Sequence, residues 1–416
     1  MRFTPALFAH AEAAMKAILT FEHPADGALS YYFRNHRELG HADRGFVAEA
    51  CFSTLRRLRS LSARCPDDQP RKLLLASMFC LRGWNLKQMA PVLNDTDAEW
   101  LSAAKAMPVD SWPLAVRLDL PDWLFERLSA KYPLDIEALA TALNRPAPLD
   151  LRINPMKVTR EAVLQRLAAD GMPGTACVHS PLGIRLEEKP ALSRHPLFLD
   201  GSIEVQDEGS QLLGYLVAPK RGEMVVDFCA GAGGKTLLLG ALMRSAGRLY
   251  AFDVSEKRLA NLKPRLARSG LSNVHPVRIE SENDIKVKRL AGKLDRVLVD
   301  APCSGLGTLR RNPDLKWRQS PESVTELTQK QHDILTAAAR LVKSGGRLVY
   351  ATCSLLAEEN EDVVSAFLAA HPDFVPLNAA EILSRQGINV GDEAALRLLP
   401  HVHGSDGFFA MAMERK

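Results

Sequence analysis

Val225-Val226-Asp227-Phe228-Cys229-Ala230-Gly231-Ala232-Gly233-Gly234-Lys235 is the stretch on which the reading of this chain turns. A short β-branched and aromatic run reads as a buried strand. Glycines follow at once, then an apolar helical run from Thr236 to Met243. Strand, glycine turn and helix form a geometry that cradles a ligand's polar end at a helix N-terminus. Glycine suits the turn because a Cβ would hold the backbone away from a ligand and resist positive φ.

Three ligands compete for such a turn. A phosphate loop needs a glycine where Cys229 stands, and a dinucleotide turn needs one where Thr236 stands, so both spacings fail. The turn of S-adenosylmethionine-dependent methyltransferases, which holds no pyrophosphate, accommodates Gly231 and Gly233. The next predicted strand, Arg248–Phe252, ends in Asp253, where an acidic group can accept the ribose hydroxyls of a nucleoside cofactor.

Length and composition set the bounds. A chain of 416 residues exceeds one compact core, so two or three domains are expected. A formal net charge of +4 permits a nucleic-acid partner without arguing for one. The seven cysteines, Cys51, Cys65, Cys80, Cys177, Cys229, Cys303 and Cys353, form no CxxC pair and no regular framework. Reduced thiols in a reducing compartment are expected, and no metal. No stretch approaches the roughly 18 apolar residues of a membrane span, and Met1-Arg2-Phe3 leads into an amphipathic helix without a cleavable leader's apolar segment. A cytoplasmic, monomeric protein is expected, since nothing long and apolar demands a partner.

The first third reads as helical. Thr4 and Pro5 open an apolar stripe through Phe8, Ala11, Met15 and Ile18. Further helices are predicted from about Arg44 to Leu58, Lys72 to Leu81, Asp122 to Lys131 and Asp135 to Leu143. Arg56, Arg57 and Arg59 at one helix end could meet RNA phosphates or complement the helix dipole. Pro146 and Pro148 mark a boundary. A strand at Leu149–Asn154, a helix from Thr159 to Ala169 and a strand pair within Val178–Leu186 make a small α+β module. From Gly209 onward strands alternate with helices, at Met224–Phe228, Arg248–Asp253, Val274–Ile279, Asp295–Asp300 and Gly346–Thr352. Pro321 opens a helix to Val342, and two late strands follow at Leu396–Leu399 and Phe408–Met413. The predicted fold is α/β, a doubly wound, mostly parallel sheet with a small α+β module and an all-helical N-terminal domain. The predicted domains are 1–144, 145–208 and 209–416.

Two predicted strand tips carry cysteine: Asp300-Ala301-Pro302-Cys303-Ser304-Gly305 and Thr352-Cys353-Ser354. One such cysteine is readily a small core residue. Two, each just past a strand that follows the cofactor turn, suggest chemistry at the carboxyl edge of the sheet. A thiol beside a methyl donor suits a carbon that is not yet nucleophilic. Thiolate addition to cytosine C6 pushes electron density to C5, and an acidic group such as Asp300 can stabilise the charge on the ring. This chemistry is symmetric in the two thiols.

With these residues in place, the chain resembles the RsmB/Sun (Fmu) family of S-adenosylmethionine-dependent RNA 5-methylcytosine methyltransferases. The resemblance rests on Cys229–Lys235, Asp300–Gly305, Thr352-Cys353-Ser354, Asn312–Trp317, Arg397–His401 and Val205–Gln211. It spans about residues 149 to 416. Upstream, Asp43–Glu49 resembles the NusB-like RNA-binding domain of bacterial members. The resemblance implies a Rossmann-like methyltransferase domain, Cys353 as the nucleophile, Cys303 as the thiol that assists release, and Asp300 in catalysis. It places the cofactor against Cys229, Ala230, Gly231, Ala232, Gly233, Gly234, Lys235, Asp253 and Asp300. At the family's third acidic position stands Glu280.

The loop after the Pro-Cys turn interleaves basic and aromatic groups, Arg310, Arg311, Lys316, Trp317 and Arg318, a pattern suited to a flipped-out or single-stranded base. RNA is the expected partner, with small-subunit ribosomal RNA favoured by the NusB-like start. The alternatives are a transfer RNA substrate, or an RNA-binding assembly factor that has lost catalysis. An amine- or protein-directed methyltransferase is disfavoured, because Asp300-Ala301-Pro302-Cys303 occupies the place of an Asn/Asp-Pro-Pro-aromatic turn.

Overall fold

Residues 3–65 and 67–416 are described, in a computed structural model. The opening Met1-Arg2 lies outside them. The chain divides into two compact units, Met1–Pro146 with Thr308–Pro321, and Ala147–Gly307 with Glu322–Lys416. No helix among the described residues is long and apolar enough to cross a membrane.

The first unit is helical. Thr4 Oγ1 accepts from Leu7 N–H at 3.2 Å and opens helix Pro5–Ile18, whose buried stripe includes Phe8, Ala11, Met15 and Ile18. Helix His41–Arg56 packs on it through Phe46, Val47, Ala50 and Leu55. The helix expected from Lys72 to Leu81 is α-helical at Pro70–Ala76 and widens to a π-turn at Ser77–Leu81. Between helix Pro5–Ile18 and the end of helix Ala25–Asn35, His10, His36 and Glu38 bring ligand-type atoms within 4.8 Å of one another. Both Nδ1 atoms are engaged by Tyr32, and His36 stacks on the Tyr32 ring, so these imidazoles serve helix packing.

The second unit holds two sheets. The smaller is antiparallel, with β1 (Leu149–Ile153), β2 (Gly174–Ala176), β3 (Gly183–Leu186) and β4 (Ile203–Val205) in the order β2-β3-β1-β4. The larger contains β5 (Met224–Asp227), β6 (Arg248–Asp253), β7 (Val274–Arg278), β8 (Leu294–Asp300), β9 (Val342–Thr352), β10 (Phe374–Leu377), β11 (Leu396–Leu398) and β12 (Phe408–Arg415). Its order is β10-β12-β9-β8-β5-β6-β7, with β11 on β12; β5 to β9 are parallel and the β12 pairings antiparallel. The chain runs outward from β5 to β7, then returns to β8 on the other side. β5 and β8 therefore flank the switch point where open α/β sheets bind ligands.

Both faces of the sheet are covered, so its strands read as near-continuous apolar runs. Val225, Leu298, Val349 and Ala351 face helices Glu208–Val217, Gly234–Leu242 and Glu256–Ser269. Val226, Val297, Val299, Leu348 and Tyr350 face helices Pro321–Ala339 and Glu361–Ala370. Two elements depart from expectation. The helix expected to reach Val342 stops at Ala339, because Val342 pairs with Leu294 as the first residue of β9 and Gly345, at φ +71°, bends the strand beyond it. Strand β10 escaped sequence reading because Pro376 interrupts it, which only an edge strand tolerates.

Candidate active site

The ends of four parallel strands converge on the switch point. Beyond β5, Gly231 (φ +57°) and Gly233 (φ +82°) take left-handed conformations, and a Cβ on Gly233 would stand 2.1 Å from Leu262 Cδ1. The same Cβ on Gly231 meets nothing within 4 Å, so that side of the turn is open to a ligand. Asp253, buried at the end of β6, accepts from Gly231 N–H at 2.8 Å and Ser255 N–H at 2.7 Å. It thereby ties the glycine turn to the next strand and keeps carboxylate lone pairs for a ligand. These residues fit a nucleoside cofactor.

Two arginines that sequence reasoning missed support the turn from beneath. Arg152 on β1 donates to Gly234 O at 2.7 Å, and Arg265 to Ala232 O at 2.6 Å. Burial lowers the Arg152 pKa to about 10. Nothing in Leu151-Arg152-Ile153 marks the arginine as buried. Asp227, at the end of β5, is a further omission: Thr236 Oγ1 donates to its Oδ2 at 2.7 Å, and burial raises its pKa to about 7.

Lys235, expected against the cofactor, has its Nζ 2.6 Å from Asp300 Oδ2 at the tip of β8. Burial opposes the ammonium charge, but Asp300 outweighs it and holds the lysine above its ordinary value. Cys229 is also at this edge, and burial followed by Asp227, Asp300 and Asp253 pushes its thiol well up, which suits a packed thiol rather than a nucleophile. Glu280 lies past the end of β7 with its carboxylate 72% exposed, 3.3 Å from Arg278, while its own N–H donates to Asp284.

Cys303 and Cys353 come just after the adjacent strands β8 and β9, and their Sγ atoms are 3.3 Å apart with both thiols free. Gly307 N–H donates to Cys353 O at 2.8 Å, joining the two loops again. The contact with Cys353, then burial, raises Cys303 well above the ordinary thiol range. Either sulfur could be the donor across this contact.

The basic and aromatic loop is corrected by the structure. Lys316 is 1% exposed within the first unit, where Nζ donates to Arg56 O at 2.7 Å and Asn144 Oδ1 at 2.8 Å. Trp317 donates to Leu55 O at 2.8 Å. Lys316 does not present itself to RNA, and with the half-buried Trp317 it anchors segment 308–321 in the helical unit. Arg56, Arg57 and Arg59 are likewise fixed, on Arg310 O, Asp119 and Asp122. Basic spacing alone does not reveal this, because a lysine stem and an indole pack as well as they bind.

The chain has clear relatives among known proteins. Residues 214–414 match the family described as 16S rRNA methyltransferase RsmB/F, and residues 120–193 match the ferredoxin-like domain of RsmF/B-like methyltransferases. The chain is 39% identical to "Probable ribosomal RNA small subunit methyltransferase B" of Synechocystis sp., over 94% of this chain and 95% of that one. It is 33% identical to the protein of the same name from Bacillus subtilis, over 78% and 73%. Among solved structures, PH0851 aligns over 100% of both chains with a TM-score of 0.81 and 26% identity. A methyltransferase homolog from Pyrococcus horikoshii aligns over 73% of this chain and 97% of its own, with a TM-score of 0.62 and 30% identity.

Proposed function

Given that the chain belongs to the 16S rRNA methyltransferase RsmB/F family and is an S-adenosylmethionine-dependent rRNA methyltransferase, we propose that it methylates C5 of a cytosine in small-subunit ribosomal RNA through a covalent Cys353–C6 intermediate. The observation that carries this reading is the 3.3 Å approach of two free thiols beside the glycine turn.

Cysteine sulfur adds to C6, and the electron pair of the C5–C6 bond becomes available at C5. S-adenosylmethionine supplies the methyl group that C5 takes, held by Cys229 to Lys235 and Asp253, with Glu280 on the adenine side. The Asp300–Lys235 pair stabilises charge on the pyrimidine ring. When a base takes the C5 proton, the electrons return to the C5–C6 bond and Cys353 leaves as thiolate. The Cys303 S–H in this reading donates to the departing sulfur across the 3.3 Å contact of the two thiols. In this reading the protein acts as a cytoplasmic monomer, and its helical unit assists in engaging RNA.

The test is bisulfite sequencing of total RNA from cells lacking the protein, paired with labelled methyl transfer to 16S rRNA in vitro. One lost 5-methylcytosine in 16S rRNA supports the proposal. Loss confined to transfer RNA moves the substrate. RNA binding without transfer makes the protein an assembly factor.

A further inference from the structure

Between the two cysteine loops lies a carboxylate that the reaction itself does not use. Glu359, 0% exposed, precedes helix Glu361–Ala370. Its Oε1 accepts from the backbone N–H of Ser304 at 2.7 Å and from Gln331 Nε2 at 3.0 Å. Its Oε2 accepts from the Ser304 hydroxyl at 2.5 Å and from the Ser354 hydroxyl. Ser304 comes directly after Cys303, and Ser354 directly after Cys353. A single carboxylate therefore grips the residue next to each thiol.

The grip is held from outside as well. Gln331 also donates to Pro302 O at 2.9 Å, the carbonyl just before Cys303. Tyr350 on β9 donates to Glu359 O at 2.6 Å, and Asn360 Nδ2 donates to Ser354 O at 3.0 Å. A buried carboxylate is costly unless its lone pairs are occupied, and four donors occupy these. Glu359 keeps all four donors in one arrangement of the loops, and the network so fixes the geometry of the loops it holds.

We propose that Glu359 is a positioning residue for methyl transfer: it clamps the Cys303 and Cys353 loops together and sets the spacing of the two thiols. This rests on the reading that both thiols act on one cytosine. Without the carboxylate, the two loops lose the group that holds both at once; the Ser304–Ser354 hydroxyl contact at 3.2 Å, the Gly307–Cys353 bond and the strand ladder constrain them less, and the thiols drift apart. A misplacement of about 1 Å at reacting groups can cost on the order of 10²-fold in rate.

The experiment compares Glu359→Ala with Glu359→Gln in the full chain. The first readout is the rate at which Cys303 and Cys353 close a disulfide in oxidised glutathione, with release of two glutathione thiols, scored by mass. The second is single-turnover methyl transfer, with S-adenosylmethionine affinity measured alongside. Glu359→Ala is expected to slow closure by about tenfold or more and transfer by about 10²-fold, with cofactor affinity within about twofold. Glu359→Gln keeps the acceptor for Ser304 N–H and is expected to restore most of both rates. Should Glu359→Ala not fold, Ser304→Ala, which removes one hydroxyl and keeps the backbone bond, is expected to slow both rates several-fold. Wild-type closure rates in the folded alanine variants would overturn the clamp. Methyl transfer by Cys353→Ala would instead overturn the thiol mechanism, and disulfide closure would still decide the role of Glu359.

Discussion

The Sγ atoms of Cys303 and Cys353 lie 3.3 Å apart on loops that leave adjacent parallel strands, 50 residues apart in sequence. The contact with Cys353, then burial, holds the Cys303 thiol above its ordinary range, and either sulfur could donate across the contact.

The proposed roles should separate the two cysteines in their variants. Cys353→Ala should reduce methyl transfer by about 10³-fold or more, since no sulfur remains at the attacking position. Cys303→Ala should accumulate a protein–RNA adduct that survives a denaturing gel, because addition proceeds while release loses its donor. Adducts in the Cys353 variant and none in the Cys303 variant would exchange the roles.

Lys235 and Asp300 form a charged contact at 2.6 Å on the same sheet edge as the thiols. If the pair stabilises charge on the ring, Asp300→Asn and Lys235→Met should each lower kcat by about 10²–10³-fold. Lys235→Met should lower kcat by more than it raises the dissociation constant of S-adenosylmethionine. A variant that loses cofactor affinity and keeps kcat would assign the lysine to the cofactor alone.

Asp227 gives a pH signature. Its folded pKa, raised to about 7, exceeds the unfolded value near 4, so its contribution to stability is full below about pH 4 and is lost as pH rises through 7. Oδ1 accepts no hydrogen bond among the described residues, which fits a group carrying a proton in the fold. Asp227→Asn should therefore flatten the fall in melting temperature between about pH 5 and pH 8. Parallel pH profiles in the two proteins would refute this.

Lys316 gives the opposite signature in the helical unit. Burial lowers its pKa to about 7 from an unfolded value near 10.4. Well above about pH 10 both states are neutral; as pH falls to about 7 the unfolded chain binds a proton that the fold refuses, so stability declines. All five tryptophans lie in the first unit, so indole fluorescence reports its unfolding selectively. Lys316→Met should shrink the difference in urea midpoint between about pH 7 and pH 9.5. An unchanged difference would show that Lys316 is not the group responsible.

Much of the architecture was legible in the chain. Val225–Lys235 announced strand, turn and helix, Asp253 the next strand's acidic end, and Thr4 and Thr159 two helix starts; hydrogen bonds at Leu7 and Ala162 match the last two. The features that escaped had weak or misleading local signals. Pro376 hid an edge strand, and an alanine-rich helix passing toward Leu341-Val342 hid its own end. Arg152, Arg265 and Glu359 look like surface residues by type; only the burial of Arg152 and Glu359 and the hydrogen bond of Arg265 to Ala232 O show otherwise.

The sequence by itself determined the α/β pattern, the glycine turn, and the placement of both cysteines at strand tips. Those are properties of neighbouring residues, governed by periodicity, steric freedom and turn chemistry. Tertiary structure alone decided that Cys303 meets Cys353, that Asp300 meets Lys235, and that Lys316 is buried beside a carbonyl 260 residues earlier. Each depends on which strands lie side by side and how much water remains between them, because burial and partner distance set a group's ionisation.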